Sequence, residues 1–211
     1  MIIFYHGNPT TKKMKKARNY CPFLEHRAEY TPDTIRNSEF QYFLDNGAFT
    51  SDFKPNEWIN TLDRIKSSDI KEPDFVVLPD VFNDAEATHQ KHLEFVNEVR
   101  LRGFNFYYVA QPGERDLMNN LQHIVYRALS LGAEGIFVGG SWHKPRVVSK
   151  LLDMTDRKDL KVHVGMPKNL LWVVNTEVDS FDTANIVRNQ SWSKLRSLQS
   201  KIEEQKPITA F

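Results

Sequence analysis

Residues 104–113 read Phe-Asn-Phe-Tyr-Tyr-Val-Ala-Gln-Pro-Gly. The run Phe104–Val109 is rich in aromatic and β-branched side chains and is almost continuously apolar. A strand with one face in water would alternate, so this run suits a strand covered on both faces, as in a parallel sheet. It stops at Gln111-Pro112-Gly113, a polar turn at the C-terminal end. The same succession, an apolar run and then a polar turn, recurs along the chain.

Comparable runs lie at Ile2–Tyr5, Gln41–Leu44, Phe75–Leu78, Gly135–Val138, Lys161–Val164 and Val178–Phe181, with Pro207–Phe211 as a last one. Helical patterns fill the gaps. Pro55 suits a first helical turn and precedes a stripe of Trp58, Ile59, Leu62 and Ile65. Asp84 is placed to cap a helix that buries Leu93, Val96 and Val99. Leu117, Leu121, Ile124, Val125 and Ala128 form a third stripe, which Gly132 is placed to end. Val147, Val148, Leu151 and Leu152 mark another helix, Pro167–Val174 a short one, and Trp192, Leu195, Leu198 and Ile202 the last. Such alternation leaves two architectures, a (β/α)₈ barrel or a doubly wound sheet. No GxGxxG or GxxxxGK[ST] follows the first strand, which removes support for the nucleotide-binding open sheets. The expectation is an α/β protein: a compact (β/α)₈ TIM-type barrel, one domain over residues 1–211, its last strand at the C-terminus and its last helix absent.

Composition agrees with a folded chain. The 211 residues are 40% hydrophobic and 26% charged, near globular averages. A single cysteine, Cys21, excludes an internal disulfide and a multi-cysteine zinc site. No apolar run approaches the roughly 18–20 residues needed to span a bilayer, and no signal-peptide pattern opens the chain, so the expected setting is the cytoplasm. The net charge of +1 conceals an uneven distribution. Lys12, Lys13, Lys15, Lys16, Arg18 and Arg27 face one acid, Glu25, in residues 1–27, whereas residues 28–98 hold fifteen acids and six bases. Arg188, Lys194, Arg196 and Lys201 stand in a segment without acids. Either ion pairs cancel these blocks in three dimensions, or a positive surface for a phosphate backbone lies beside an acidic working site.

Polar, glycine-flanked residues follow nearly every apolar run: Asp45-Asn46-Gly47-Ala48-Phe49, Pro79-Asp80, Gln111-Pro112-Gly113, Gly139-Gly140-Ser141, Val164-Gly165-Met166-Pro167 and Phe181-Asp182-Thr183. Strand C-termini are where a barrel assembles its active site. Taken in order, the set resembles the tRNA-guanine transglycosylase superfamily. Its loops carry Asp-Ser-Gly-Gly-aromatic, Phe-Asp-Glu-like, Val-Gln-Gly-Gly-like, Gly-Gly, Gly-Val-Gly and Phe-Asp-Cys segments. The resemblance runs over residues 40–190. Those enzymes are longer and carry a Cys/His zinc subdomain near the C-terminus, and this chain has its only cysteine near the N-terminus. Both departures favour similarity to the DNA-guanine transglycosylase branch, which places 7-deazaguanine derivatives in the DNA of bacteria and bacteriophages.

The resemblance implies a base-exchange transferase, with DNA and a free 7-deazaguanine base as partners, no cofactor and no metal. Asp182 would hold C1′ covalently and Asp45 would move protons, as paired carboxylates do in retaining glycosidases. Read singly, each is equally a turn-forming or capping aspartate. Asp80 would accept from the donor edge of the base, Gln111 would add hydrogen bonds, and the Gly140 N–H would donate to O6. An unpaired buried polar group costs about 1–3 kcal/mol, and this would exclude adenine. Phe49 would stack on the base, or else pack in the core. Gly139 and Gly165 would shape the loops. Arg188 would support the Asp182 charge, or contact phosphate. Lys12, Lys13, Lys15, Lys16 and Arg18, with Lys144, Arg146, Lys194 and Arg196, would hold the backbone of a flipped-out nucleotide.

Alternatives within this reading are the same exchange on tRNA, a DNA glycosylase, or a silent nucleic-acid-binding partner subunit. Five histidines and the cysteine stand apart. His89 and His92, three apart, read as a helix-surface pair sooner than as metal ligands. His143 follows the Gly-Gly loop near a phosphate position, His6 and His163 line the pocket or pack, and Cys21 reads as an inert thiol.

Overall fold

A computed structural model describes residues 1–6, 11–18, 23–27, 36, 40–47, 53–114, 116–155, 159–183, 189 and 191–204. Eight parallel strands close into a barrel in sequence order. They are β1 (Ile2–His6), β2 (Phe23–Arg27), β3 (Gln41–Asp45), β4 (Val76–Val77), β5 (Phe106–Ala110), β6 (Gly135–Val138), β7 (Lys161–Val164) and β8 (Ser180–Thr183). Among the described residues the helices are α1 (Lys12–Arg18), α2 (Pro55–Lys66), α3 (Ala85–Leu101), α4 (Leu117–Ser130), α5 (Lys144–Thr155), α6 (Leu170–Val173) and α7 (Trp192–Glu204). Closure is made by β8 against β1, with Phe4 opposite Asp182.

The expected barrel is therefore present, with two changes in its count. The eighth strand is Ser180–Thr183, and Pro207–Phe211 lies outside the described residues. The strand overlooked is Phe23–Arg27, whose sequence Phe-Leu-Glu-His-Arg is only two-fifths apolar and gives no buried-strand signal. With the count shifted, the helix Trp192–Glu204 follows β8, so the last helix is present.

Local chemistry accounts for the helix ends. Pro55 opens α2, which buries Trp58, Leu62 and Ile65. The Asp84 side chain accepts from the N–H groups of Glu86 and Ala87 at 3.1 and 2.9 Å and caps α3. Helices α3 and α4 end alike, with Gly103 and Gly132 at φ of +68° and +63°. Behind each glycine a second N–H returns to the last turn, Phe104 to Val99 O and Ala133 to Ala128 O. These double closures require a left-handed residue, which glycine adopts without a Cβ clash. The outer core lies between strands and helices and includes Tyr42, Leu44, Val76, Tyr108, Ile136 and Val162. No helix among the described residues is long and apolar enough to cross a membrane.

Alternate residues face the barrel axis, where Phe4, Phe43, Phe75, Val77, Tyr107 and Val109 form a second core. Phe75 stacks on Tyr107 at a centroid distance of 3.8 Å and on Phe43 at 4.8 Å. Glycines on β6 and after β7 make room for this bulk. A Cβ on Gly135 would lie 2.7 Å from the Tyr107 ring, and one on Gly165 would lie 2.6 Å from the Phe137 ring. The aromatic layer separates two cavities, one at each mouth of the barrel.

Candidate functional site at the C-terminal mouth

The upper cavity, at the strand C-termini, has a volume of about 710 Å³. Asp45, Asp80, Gln111, Gly139, Gly140, Gly165 and Asp182, all anticipated from the sequence, line it. Phe49 and Arg188 lie outside the described residues. Among the described residues, no group of three or more His, Cys, Asp or Glu side chains is placed to hold a metal ion.

Asp182 points inward from β8 and is 1% exposed. Its Oδ1 accepts the Met166 N–H at 2.8 Å, and its Oδ2 lies 3.3 Å from Nε2 of His163. Met166 holds a left-handed φ of +38°, an uncommon conformation for a side chain of its size, and this turns its N–H onto the carboxylate. His163 is fully buried and stacks on Phe137 at 4.7 Å. Burial pushes its imidazole below the ordinary range, against the opposing pull of Asp182.

Lys144, at the start of α5, is half-buried and turns into the cavity, where Nζ donates to the Gly165 carbonyl. Burial lowers its amine to about 8, with the Asp182 charge opposing the fall and Lys168 adding to it. A lysine in the first turn also faces the positive end of the helix dipole, a poor place for a surface cation. Of the other basic residues expected on a phosphate backbone, Lys12, Lys15, Lys16, Arg146, Lys194 and Arg196 are exposed, so burial is what sets Lys144 apart from them. Lys13 and Arg18 belong to α1 by their backbone. Helices α1 and α7 follow strands that are neighbours in the closed barrel, so the two basic segments occupy adjacent parts of its outer ring.

A second cluster forms the opposite wall. The Asp80 carboxyl accepts from Nδ2 of Asn46 at 3.0 Å and from Nε2 of Gln111. Burial raises the Asp80 carboxyl above its ordinary range, while these two amides hold it down. Oε1 of Gln111 accepts the Asn83 N–H at 3.0 Å, and the Asn83 side chain accepts from the N–H and hydroxyl of Ser141 at 2.8 and 2.9 Å. A Cβ on Gly139 would lie 2.7 Å from the Gln111 amide, and one on Gly140 would lie 2.5 Å from it. The close approach these glycines permit is thus to Gln111. Asn46, Asn83, Ser141, Trp142 and Lys168 were not singled out from the sequence. Asn46, Asn83 and Ser141 act through partners up to 58 positions away, which no local pattern records.

No family model matches the chain, and no curated protein matches it. Solved structures do. Orotidine 5′-monophosphate decarboxylase from Sulfolobus solfataricus is 13% identical, with a TM-score of 0.62 over 97% of this chain and 99% of that one. QR15, an aldolase, is 9% identical, with a TM-score of 0.65 over 93% and 96%. KGPDC from Streptococcus mutans is 10% identical, with a TM-score of 0.59 over 96% and 97%. At such identities the likeness establishes the barrel.

These findings overturn the transglycosylase resemblance. The barrels matched include a decarboxylase, an aldolase and KGPDC, and the six loop segments are recognised by no family model. Assignment as a guanine transglycosylase falls with it, as do 7-deazaguanine exchange in DNA or tRNA, the glycosylase and silent-subunit alternatives, and a role in bacteriophage DNA modification. The physical reason is general. Aspartate, glutamine and glycine at strand ends are what a (β/α)₈ barrel needs to turn its chain and build any polar mouth. Their order reports the fold and leaves the chemistry open.

Proposed function

We propose that the protein is a lyase that makes or breaks a carbon–carbon bond beside the carbonyl of a small oxo compound. Lys144 supplies the amine and Asp182 handles the proton. The observation that carries this reading is an amine pushed down to about 8 that shares one cavity with a buried carboxyl group. At neutral pH a useful fraction of such an amine is uncharged, as a nucleophilic lysine requires. While one N–H stays on the Gly165 carbonyl, the lone pair is free to attack the substrate carbonyl carbon. The carbonyl oxygen takes one proton from the amine and a second from a solvent acid and leaves as water, and the resulting iminium draws the electron pair of the neighbouring bond. Asp182 gives or takes the proton at that carbon.

Two of the structures sharing this fold are by name an aldolase and a decarboxylase, names that denote the making or breaking of a carbon–carbon bond. The reading takes the protein to act in the cytoplasm, where a lone thiol stays reduced. The test is reductive trapping. The protein is incubated with pyruvate or another 2-oxo acid and borohydride, digested, and analysed by mass spectrometry. The expected adduct sits on the peptide containing Lys144 and is absent from Lys144→Ala. Adducts confined to exposed lysines such as Lys168 would refute the assignment.

A further inference from the structure

Asp182 has a continuation on its far side. Nδ1 of His163 lies 2.8 Å from Oγ of Ser180, and Nε2 lies 3.3 Å from Oδ2 of Asp182. Ser180 lines the second cavity, of about 1090 Å³, at the N-terminal mouth of the barrel, and Asp182 lines the upper one. One imidazole thus bridges the layer that separates the two cavities. Rings enclose it: Phe4, Phe43, Phe75 and Phe137 have centroids 5.8, 5.0, 5.7 and 4.7 Å from its own. The ionisable groups acting on it are Asp182 from β8 and Lys144 from α5.

We propose that Ser180, His163 and Asp182 form a proton path along the barrel axis, by which Asp182 exchanges its proton with water at the lower mouth. A ligand filling the upper cavity would close the direct route to solvent, and this path stays open beneath it. In the resting arrangement Nε2–H donates to Asp182, and Nδ1 accepts the Ser180 hydroxyl proton. In the inward step a solvent acid in the lower cavity protonates Ser180 Oγ as that hydroxyl passes its own proton to Nδ1. The Nε2 proton moves to Oδ2 of Asp182. Three bonds to hydrogen form and three break, and the net change is one proton carried from the lower cavity to Asp182. His163 is left neutral with its proton on Nδ1, and the reverse transfer restores it. The path does not depend on which compound fills the upper cavity.

The experiment follows exchange of the His163 ring N–H with water by NMR, on the unliganded full chain labelled with ¹⁵N-histidine. Ser180→Ala should slow exchange about tenfold or more, a modest part of what a positioned proton-transfer group contributes to a rate. Ser180→Thr, which keeps a hydroxyl, should restore it. If the alanine variant fails to fold, Ser180→Cys keeps the volume with a weak donor and should slow exchange in the same way. Exchange unchanged in Ser180→Ala but slowed in Asp182→Asn would overturn the proposal, because the proton would then leave by the upper mouth. Equal slowing in the alanine and threonine variants would also overturn it. No ligand or imine is involved, so failure of the trapping experiment and failure of this one are separate results.

Discussion

Around the lower mouth, Asp74, Lys161, Glu177 and Asp179 are exposed on the rim of a cavity of about 1090 Å³. Around the upper mouth, Asp182, Gln111 and Asn46 are 1%, 2% and 7% exposed beside a cavity of about 710 Å³. The larger space is thus the less developed site. Solvated carboxylates attract one another's counterions weakly and are screened by salt. Groups withdrawn from water and held by fixed donors act at low effective dielectric and need little reorganisation when charge develops. The lower mouth carries charge, and the upper mouth holds it in place.

The largest expected effect comes from exchanging the two lysines in that contrast. Lys144→Ala should reduce imine trapping about 100-fold or more, the scale of a residue that takes part in the chemical step. Lys161→Ala, whose amine lies 3.6 Å from Glu134 at the lower rim, should leave trapping unchanged. Mass spectrometry of both variants checks this, and a loss in Lys161→Ala would erase the distinction between the mouths.

Next comes packing. Gly135→Val forces new atoms onto the Tyr107 ring and the Lys161 carbonyl, each 2.7 Å from the first added carbon. A destabilisation of about 1–3 kcal/mol is expected in urea titration. Gly139→Ala meets the end of the Gln111 side chain at 2.7 Å and a Val109 methyl at 3.3 Å, and no backbone atom, so it should cost less stability while disturbing the Asp80 wall.

The pH response is smaller and more specific. An amine lowered to about 8 is mostly charged at pH 7 and mostly neutral at pH 9, so trapping should rise about tenfold between them. The Asp182 charge raises the Lys144 value against burial, so Asp182→Asn should move the midpoint of the rise to lower pH. A midpoint that moves upward would reverse the sign of this coupling. The smallest effect is expected at the lower rim, where Asp74→Asn should change stability by no more than about 0.5 kcal/mol in the same titration.

The sequence made the barrel legible because its strands announce themselves twice, by apolar runs and by the polar turns that end them. Strand β2 was lost because Glu25, His26 and Arg27 interrupt its run. The six strand-end segments do converge on one mouth, since parallel closure leaves them nowhere else to go. What they do there was not legible. His92, expected on a helix surface, is fully buried with its ring edge-on to Tyr108 at 4.2 Å, because α3 turns that face to β5. Lys144, expected on a phosphate, is a cavity amine. Asp80 meets Gln111 across 31 positions and His163 meets Asp182 across 19. Such pairs are set by barrel geometry, and no window along the chain contains both members.

Trp142 and Trp172 both stand in the wall of the upper cavity, whereas Trp58 is sealed under α2 at 1% exposure. Indole emission depends on the polarity around the ring, so two of the protein's four tryptophans are built-in optical reporters of that space. Filling the cavity should change their fluorescence while Trp58 gives a steady background. Candidate compounds can therefore be screened by light alone, with no chemical turnover and no label.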